Sequence, residues 1–151
     1  YFTANMNAGS EDNLDWASYK ERSLEDCELN LKIAEAELAK SPEDLILKSK
    51  VRKWKDRVLV CSIAPTNKFM QINENAVIQI KQKSKSSYGT YISIQNEVKS
   101  VINRVRDEKC KEYFNGLSYY DLDLELADDQ DKLKVLRILV PEKIIEPPII
   151  N

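Results

Sequence analysis

One helix dictates how this chain folds, and it opens with Ser87-Tyr88-Gly89-Thr90-Tyr91-Ile92-Ser93-Ile94-Gln95-Asn96-Glu97-Val98. Ser87 is a good N-cap, because its hydroxyl can accept a hydrogen bond from a free N–H group of the first helical turn. Apolar residues then recur at spacings of three and four, which predicts one buried side of an amphipathic helix. They are Tyr91, Ile94, Val98, Val101, Ile102 and Val105. Gly116 is the predicted terminator, since glycine adopts the left-handed conformation of a helix end without strain. The pattern alone also fits the core helix of an ordinary α/β domain.

The residues before this helix predict strands. The segment 68–72 alternates apolar and polar side chains, and residues 77–82 make a further strand. The segment 58–64 is rich in residues that suit a pleated surface, although it also continues the apolar spacing of a preceding helix until Pro65. We interpret 58–64 as the first strand of the sheet, because the turn-like residues 64–67 separate it from the next one.

The residues after the long helix predict a helix and a closing strand. The shorter helix spans residues 128–139, with Asp128 as its cap and Leu133, Leu136 and Val140 directed inward. Pro141 closes it. Residues 142–146 can then return as a strand, before Pro147 and Pro148 stop further pairing.

The front of the chain predicts two helices. Asp12 or Asn13 can cap the first, whose apolar residues repeat at spacings of three and four up to about Lys40. They are Leu24, Cys27, Leu31, Ala34 and Leu38. Ser41 and Pro42 predict the start of the second helix, with Leu47, Val51 and Trp54 on its apolar side. So short a connection predicts an antiparallel hairpin, which either packs on the sheet or serves as a stalk that binds a partner.

The segments from residue 77 onward occur in a recognisable order. They are Val77-Ile78-Gln79-Ile80, a basic turn, Ser86-Ser87-Tyr88-Gly89-Thr90-Tyr91-Ile92, Ile94-Gln95-Asn96-Glu97, Arg106-Asp107-Glu108 and Val140-Pro141-Glu142-Lys143-Ile144-Ile145-Glu146. Together they resemble the longer members of the ExbD/TolR family of biopolymer transport proteins, which carry a strand, a "TSY" turn, a "VQNEL…RDE" helix and a closing "IPxxISEAEP" segment. The resemblance covers about residues 57–151. The positions that match the family motif are Ser87, Tyr88, Gln95, Asn96, Glu97, Arg106 and Asp107.

Two departures from the family pattern stand out. Members carry a helix between the second and third strands, whereas only four residues separate Ile72 from Val77 here. Members also have a membrane helix with an essential carboxylate, and no run of about 18 apolar residues occurs in this chain. We therefore expect the membrane anchor outside this chain, and no residue here is assigned a role in proton transfer.

The expected fold is α+β: residues 11–56 form an N-terminal antiparallel helical hairpin, and residues 57–151 form a small sheet of three or four strands packed on a long amphipathic helix. Residues 1–10 are expected to be disordered, and they show no cleavable signal peptide. The resemblance implies the periplasmic domain of an inner-membrane energy-coupling subunit, which forms a homodimer beside an ExbB-like channel subunit and binds a TonB-like transducer. A sheet edge can bind such a partner by strand addition. The edge we predict for this is Val58, Leu59, Val60, Cys61 and Ser62.

Composition argues against other classes of protein. The chain has 32% charged and 42% hydrophobic residues, which suits a globular protein. Its net charge of -2 argues against nucleic acid as a partner. Without a histidine the usual general base is absent, so we expect neither an enzyme nor a cofactor. Three dispersed cysteines do not form a metal motif, and Asp121, Asp123 and Glu125 more plausibly solubilise a connector than hold a cation. The alternative hypothesis is a cytoplasmic helical adaptor that binds a partner through its hairpin.

Overall fold

Helices dominate the computed structural model, which describes residues 19–74, 76–81 and 87–145. The elements follow in this order: β1 (Tyr19–Ser23), α1 (Leu24–Lys40), α2 (Leu45–Ile63), β2 (Lys68–Ile72), β3 (Ile78–Gln79), α3 (Tyr88–Tyr113), a 3-10 turn (Tyr119–Asp121), α4 (Ala127–Leu139) and β4 (Ile144–Ile145). The coarse class predicted from the sequence, helices combined with small sheets, is confirmed.

Side-chain caps determine where α1 and α2 begin. The Ser23 hydroxyl accepts a hydrogen bond from the Asp26 N–H, and one Asp44 carboxylate oxygen accepts from both the Ile46 and Leu47 N–H groups. The predicted start of α2 at Ser41 is wrong, because Ser41 ends α1 and its N–H donates to the Leu38 carbonyl. A carboxylate that accepts two N–H groups also interacts favourably with the helix dipole, which favours the later cap. The predicted caps Asp12 and Asn13 lie outside the described residues.

The helices α1 and α2 pack against each other in antiparallel directions. Lys50 pairs with Glu37 at 2.7 Å, and the sulfur atoms of Cys27 and Cys61 are 3.9 Å apart. As the residue number rises on one helix it falls on the other, which is what opposite directions require. The predicted apolar sides face inward, with Cys27, Ala34 and Val51 buried.

The predicted strand at residues 58–64 is wrong. These residues continue α2 to Ile63, and the Ala64 N–H still donates to the Val60 carbonyl at 2.9 Å. Pro65 follows directly and prevents the helix from continuing. The domain boundary expected at residue 57 therefore falls inside a helix.

In the described part of the chain, two separate two-stranded sheets take the place of the single sheet of three or four strands that we expected. The strand β2 lies where predicted, but its antiparallel partner is β1, which pairs Ser23 with Lys68 and Tyr19 with Ile72. The residues of β1 were expected to be helical. The strands β3 and β4 pair in parallel and are shorter than the predicted segments 77–82 and 142–146, whose residues 82 and 146 lie outside the described part.

The helix α3 begins where predicted, since the Ser87 hydroxyl accepts a hydrogen bond from the Thr90 N–H at 3.1 Å. It ends at Tyr113, and Gly116 follows with a φ of +83°. Its predicted apolar side is only partly buried. Ile102 is 1% exposed, whereas Ile94 and Val101 are 47% and 45% exposed. The buried face of the helix therefore centres on Ile102 rather than on Ile94 and Val101. It is confined to the second half of the helix.

The helix α4 starts one residue before the prediction. Leu126 occupies its N-cap position without a side-chain hydrogen bond, so the predicted cap Asp128 lies inside the first turn. The inward residues Leu133, Leu136 and Val140 are buried as predicted.

The helices α1 to α4 all contribute to one hydrophobic core. Its buried members are Cys27, Val60, Cys61, Phe69, Ile72, Ala76, Ile102, Val135, Leu139 and Val140. Residues from the hairpin and from the last third of the chain lie side by side in this cluster. The core therefore joins the two parts that the sequence suggested as separate units.

Candidate functional site

Arg106 connects α3 to the last segment of the chain. Its Nε donates a hydrogen bond to the Val140 carbonyl at 3.1 Å. The arginine is 6% exposed, and Val140, which ends α4, is fully buried. Buried carbonyl groups need a donor, and a charged one forms a stronger hydrogen bond than a neutral one. Two segments of the family motif that lie 34 residues apart are thereby in direct contact.

Asp107 connects α3 to the turn that follows it. One carboxylate oxygen accepts hydrogen bonds from the Ser118 hydroxyl at 2.9 Å and the Tyr119 N–H at 2.8 Å. The other oxygen pairs with the Lys111 ammonium at 2.7 Å. The Lys111 hydrogen bond, followed by the Tyr119 N–H, lowers the pKa of Asp107, because both favour the charged carboxylate. The same ion pair raises the pKa of Lys111. Both groups are therefore charged at neutral pH.

The parallel pair β3–β4 brings the two ends of the resembling region together. The Ile78 N–H donates to the Lys143 carbonyl at 2.8 Å, and the Ile80 N–H donates to the Ile145 carbonyl at 3.2 Å. Backbone groups alternate in direction along a strand. Those of Gln79 and Ile144 therefore point away from the pair, one on each outer edge. Helices α3 and α4 form the crossover between the two strands, as parallel pairing requires.

The other motif residues lie in the first half of α3. Tyr88 is 75% exposed, and Asn96 and Glu97 are also exposed, whereas Gln95 is half-buried. No residue of α3 before Ile102 is buried. The structure thus brings Arg106 and Asp107 to neighbouring segments and leaves the earlier motif positions at the surface, with Ser87 as the helix cap.

The partner-binding edge predicted at Val58, Leu59, Val60, Cys61 and Ser62 does not exist as an edge, because all five residues lie in α2. Helical hydrogen bonds occupy their N–H groups, so an added strand finds no row of free donors to pair with. The side chains of Val60 and Cys61 are also fully buried. The outer edges of the β3–β4 pair, at Gln79 and Ile144, were not predicted as binding edges. The sequence predicts strands over residues 77–82 and 142–146, but strands of two residues are too short for their pattern to show which strands pair.

A small cleft lies between β2 and the end of α3. Its volume is about 270 Å³, and its walls include Met70, Leu139 and Tyr113, with the Lys109–Glu112 ion pair alongside. Burial raises the pKa of Tyr113 to about 12, so its hydroxyl keeps its proton at neutral pH. The cleft can therefore offer a hydrogen-bond donor, and the carboxylates of Glu21 and Glu112 also line it.

The acidic connector uses its carboxylates to order its own backbone. One oxygen of Asp123 accepts a hydrogen bond from the Glu125 N–H, and Asp129 accepts from the Asp123 N–H. The Asp123 N–H, and then Lys132, lower the pKa of Asp129. Within residues 19–74, 76–81 and 87–145, no group of three or more histidine, cysteine, aspartate or glutamate side chains is placed to hold a metal ion.

Comparison with protein-family models, curated proteins and solved structures finds no match for this chain. The likeness to the ExbD/TolR family therefore depends on the residues quoted above and stays a prediction. In the part of the chain that the structure describes, none of the helices combines the length and apolar character needed to span a bilayer.

Proposed function

We propose that this chain is the periplasmic part of an inner-membrane energy-coupling subunit of the ExbD/TolR kind. In this role it forms a homodimer beside an ExbB-like channel subunit and grips a TonB-like transducer. Its task is mechanical, and the proton-carrying carboxylate belongs to a membrane helix outside these residues.

The observation that carries the proposal is the contact between Arg106 and the Val140 carbonyl. If the motif segments resembled the family only by chance, nothing would require them to meet in the fold. Here the helix segment containing Arg106 touches the closing segment, and that segment pairs in parallel with the strand that opens the resembling region. The motif segments therefore belong to one unit of strand, two helices and strand. Its first strand, long helix and closing segment follow in the order that the resemblance implies, and α4 is an addition to that order.

The edge of β3 is the proposed grip. The outward N–H and carbonyl of Gln79 can bond an extended peptide, which would add a strand beside β3. Neighbouring Val77 is 41% exposed and offers apolar surface to such a peptide. Each backbone hydrogen bond contributes about 0.5–1.5 kcal/mol, so an edge this short predicts weak and readily reversible binding. Weak binding suits a subunit that must release its partner in every cycle.

Substitution of Gln79 by proline tests this grip directly. Proline lacks the N–H that points outward, while the Ile78 and Ile80 N–H groups that pair with β4 remain. The experiment titrates the ¹⁵N-labelled chain with peptides from the periplasmic linker of a TonB-like transducer. We expect the amide resonances of residues 77–80 to shift, the shifts to be lost in Gln79→Pro, and the shifts to persist in the matched control Gln79→Ala. If the amide resonances of β3 and β4 did not shift at a saturating peptide concentration, peptide binding at the β3 edge would be refuted.

The adaptor hypothesis keeps one observation in its favour. Leu29 and Ile33, four residues apart on α1, are 58% and 48% exposed and lie on the same face of the helix. Such a face can pack against a partner helix. The complete gene separates the two proposals, because a membrane helix with a buried aspartate upstream of this chain supports energy coupling.

A further inference from the structure

Two cysteines face each other between the helices of the hairpin. The sulfur atoms of Cys27 on α1 and Cys61 on α2 are 3.9 Å apart, and both residues are fully buried. The Cys61 thiol also donates to the Arg22 carbonyl at 3.4 Å. The other buried residue of α1 is Ala34, seven positions further along. Two small residues on one side of α1 let the helix axes approach closely, which keeps the two thiols together.

We propose that Cys27 and Cys61 form a disulfide that joins α1 to α2 when the chain folds in an oxidising compartment. This inference concerns the hairpin alone and does not depend on which partner the chain grips. It adds a covalent link between Cys27, which precedes the region that resembles the ExbD/TolR family, and Cys61, which lies near the start of that region.

The chemistry is thiol–disulfide exchange with an oxidant that is itself a disulfide, either oxidised glutathione or a protein thiol oxidase. One cysteine thiolate attacks the disulfide of the oxidant, forms a mixed disulfide and releases the first thiol. The second cysteine thiolate then attacks the sulfur of the first cysteine and releases the second thiol. The protein loses two protons and two electrons, which together are two hydrogen atoms, and the oxidant takes them up as it is reduced to two thiols.

Burial determines when this exchange can take place. Burial, followed by the neighbouring Cys27, raises the pKa of Cys61 to about 12, so Cys61 in the folded protein is almost entirely thiol at neutral pH. An oxidant also has no access to a fully buried sulfur. The bond therefore forms while the chain folds, before α1 closes on α2, and the folded reduced protein resists oxidation.

Cys110 is the internal control for this proposal. It lies on α3, is fully buried, and has a pKa raised by burial and then by Asp107. The other charged groups that act on it are Lys111, Asp129 and Lys132, none of which lies in the hairpin. Cys110 therefore shares the burial of the other two cysteines without sharing their neighbourhood.

The test refolds the full chain from denaturant in a mixture of oxidised and reduced glutathione and then alkylates free thiols under denaturing conditions. Before alkylation, we expect an intact mass about 2 Da below that of the reduced chain, because two hydrogens are lost. After alkylation, we expect one modified cysteine instead of three. Digestion should then yield a peptide that links Cys27 to Cys61. The link should persist in Cys110→Ser and disappear in both Cys27→Ser and Cys61→Ser. Because the bond closes a loop of about 35 residues, reducing it should lower the Tm by about 10 °C.

A second arm exposes the folded reduced chain to the same oxidant. We expect all three thiols to stay free over the time in which refolding chains become oxidised. Predominant linkage through Cys110, or three alkylated cysteines after oxidative refolding, would overturn the proposal even if the serine variants failed to fold. Equally fast oxidation of folded and refolding chains would overturn the part assigned to burial.

Discussion

Arg106 and Asp107 are neighbours in the sequence, yet they hold different parts of the molecule. Successive residues of a helix point about 100° apart, so the arginine reaches inward to Val140 while the aspartate reaches the turn at Ser118 and Tyr119. The hydrogen bonds of both residues join α3 to segments that come later in the chain. A motif of adjacent opposite charges can therefore serve to hold two segments of the fold in place.

Replacing Arg106 with methionine should loosen the closing segment. Methionine keeps much of the side-chain volume but leaves the buried Val140 carbonyl without its donor, which costs about 2–3 kcal/mol. We expect a Tm lower by about 5–10 °C in thermal unfolding and faster hydrogen exchange at the Ile78 and Ile80 amides, which pair with β4.

Arg104→Met is the matched control, because Arg104 lies on the same helix and is exposed. Its Tm should stay within about 1–2 °C of the parent protein. Equal destabilisation by the two substitutions would mean that the Val140 bond does not anchor the closing segment.

At the scale of the elements, what the sequence could predict depends on periodicity. The helix α3, the strand β2 and the inward sides of the hairpin have repeated patterns, and each appears where the sequence indicates. The apolar run Val58-Leu59-Val60-Cys61-Ser62-Ile63 fits a strand and a helix equally well. Tertiary pairing decides it, because β1 supplies the partner for β2 and leaves these residues to α2. The candidate edge at Gln79 escaped prediction for the same reason, since it depends on which distant strands pair.

The start of α3 offers a test at this scale. Ser87→Ala removes the hydroxyl that accepts the Thr90 N–H, so a helical donor at the first turn loses its partner. The expected cost is about 1 kcal/mol in the free energy of urea unfolding, with an unchanged m-value. Ser93→Ala, at an exposed position inside the same helix, should change it by less than about 0.5 kcal/mol. If Ser93→Ala cost as much as Ser87→Ala, the capping role of Ser87 would be refuted.

At the scale of the whole molecule, the shared core bears on the mechanical role that we propose for the chain. The hairpin contributes Cys27 and Val60 to the same cluster that receives Ile102 from α3 and Leu139 from α4. A pull on the β3 edge would therefore act on a body that includes the hairpin. Two loosely linked domains would absorb such a pull in the linker, whereas one packed body passes it on.

Urea unfolding should show that the hairpin and the last third of the chain unfold together. Trp54 reports on the hairpin, because its ring lies 4.4 Å from the Arg57 guanidinium and 5.3 Å from that of Arg22 on β1. Cys110 reports on α3, since its buried thiol becomes available for alkylation only when the helix leaves the core. The substitution Trp16→Phe removes the second tryptophan of the chain, so that fluorescence reports on Trp54. In this variant, kept reduced, we expect Trp54 fluorescence, far-UV circular dichroism and Cys110 alkylation to change at one urea midpoint, because a single core unfolds cooperatively. The Trp54 signal could instead be lost at a clearly lower urea concentration than the one that exposes Cys110. That result would contradict the shared core and would restore the division into residues 11–56 and 57–151 as independent units. The grip on a partner would then have to work without the hairpin.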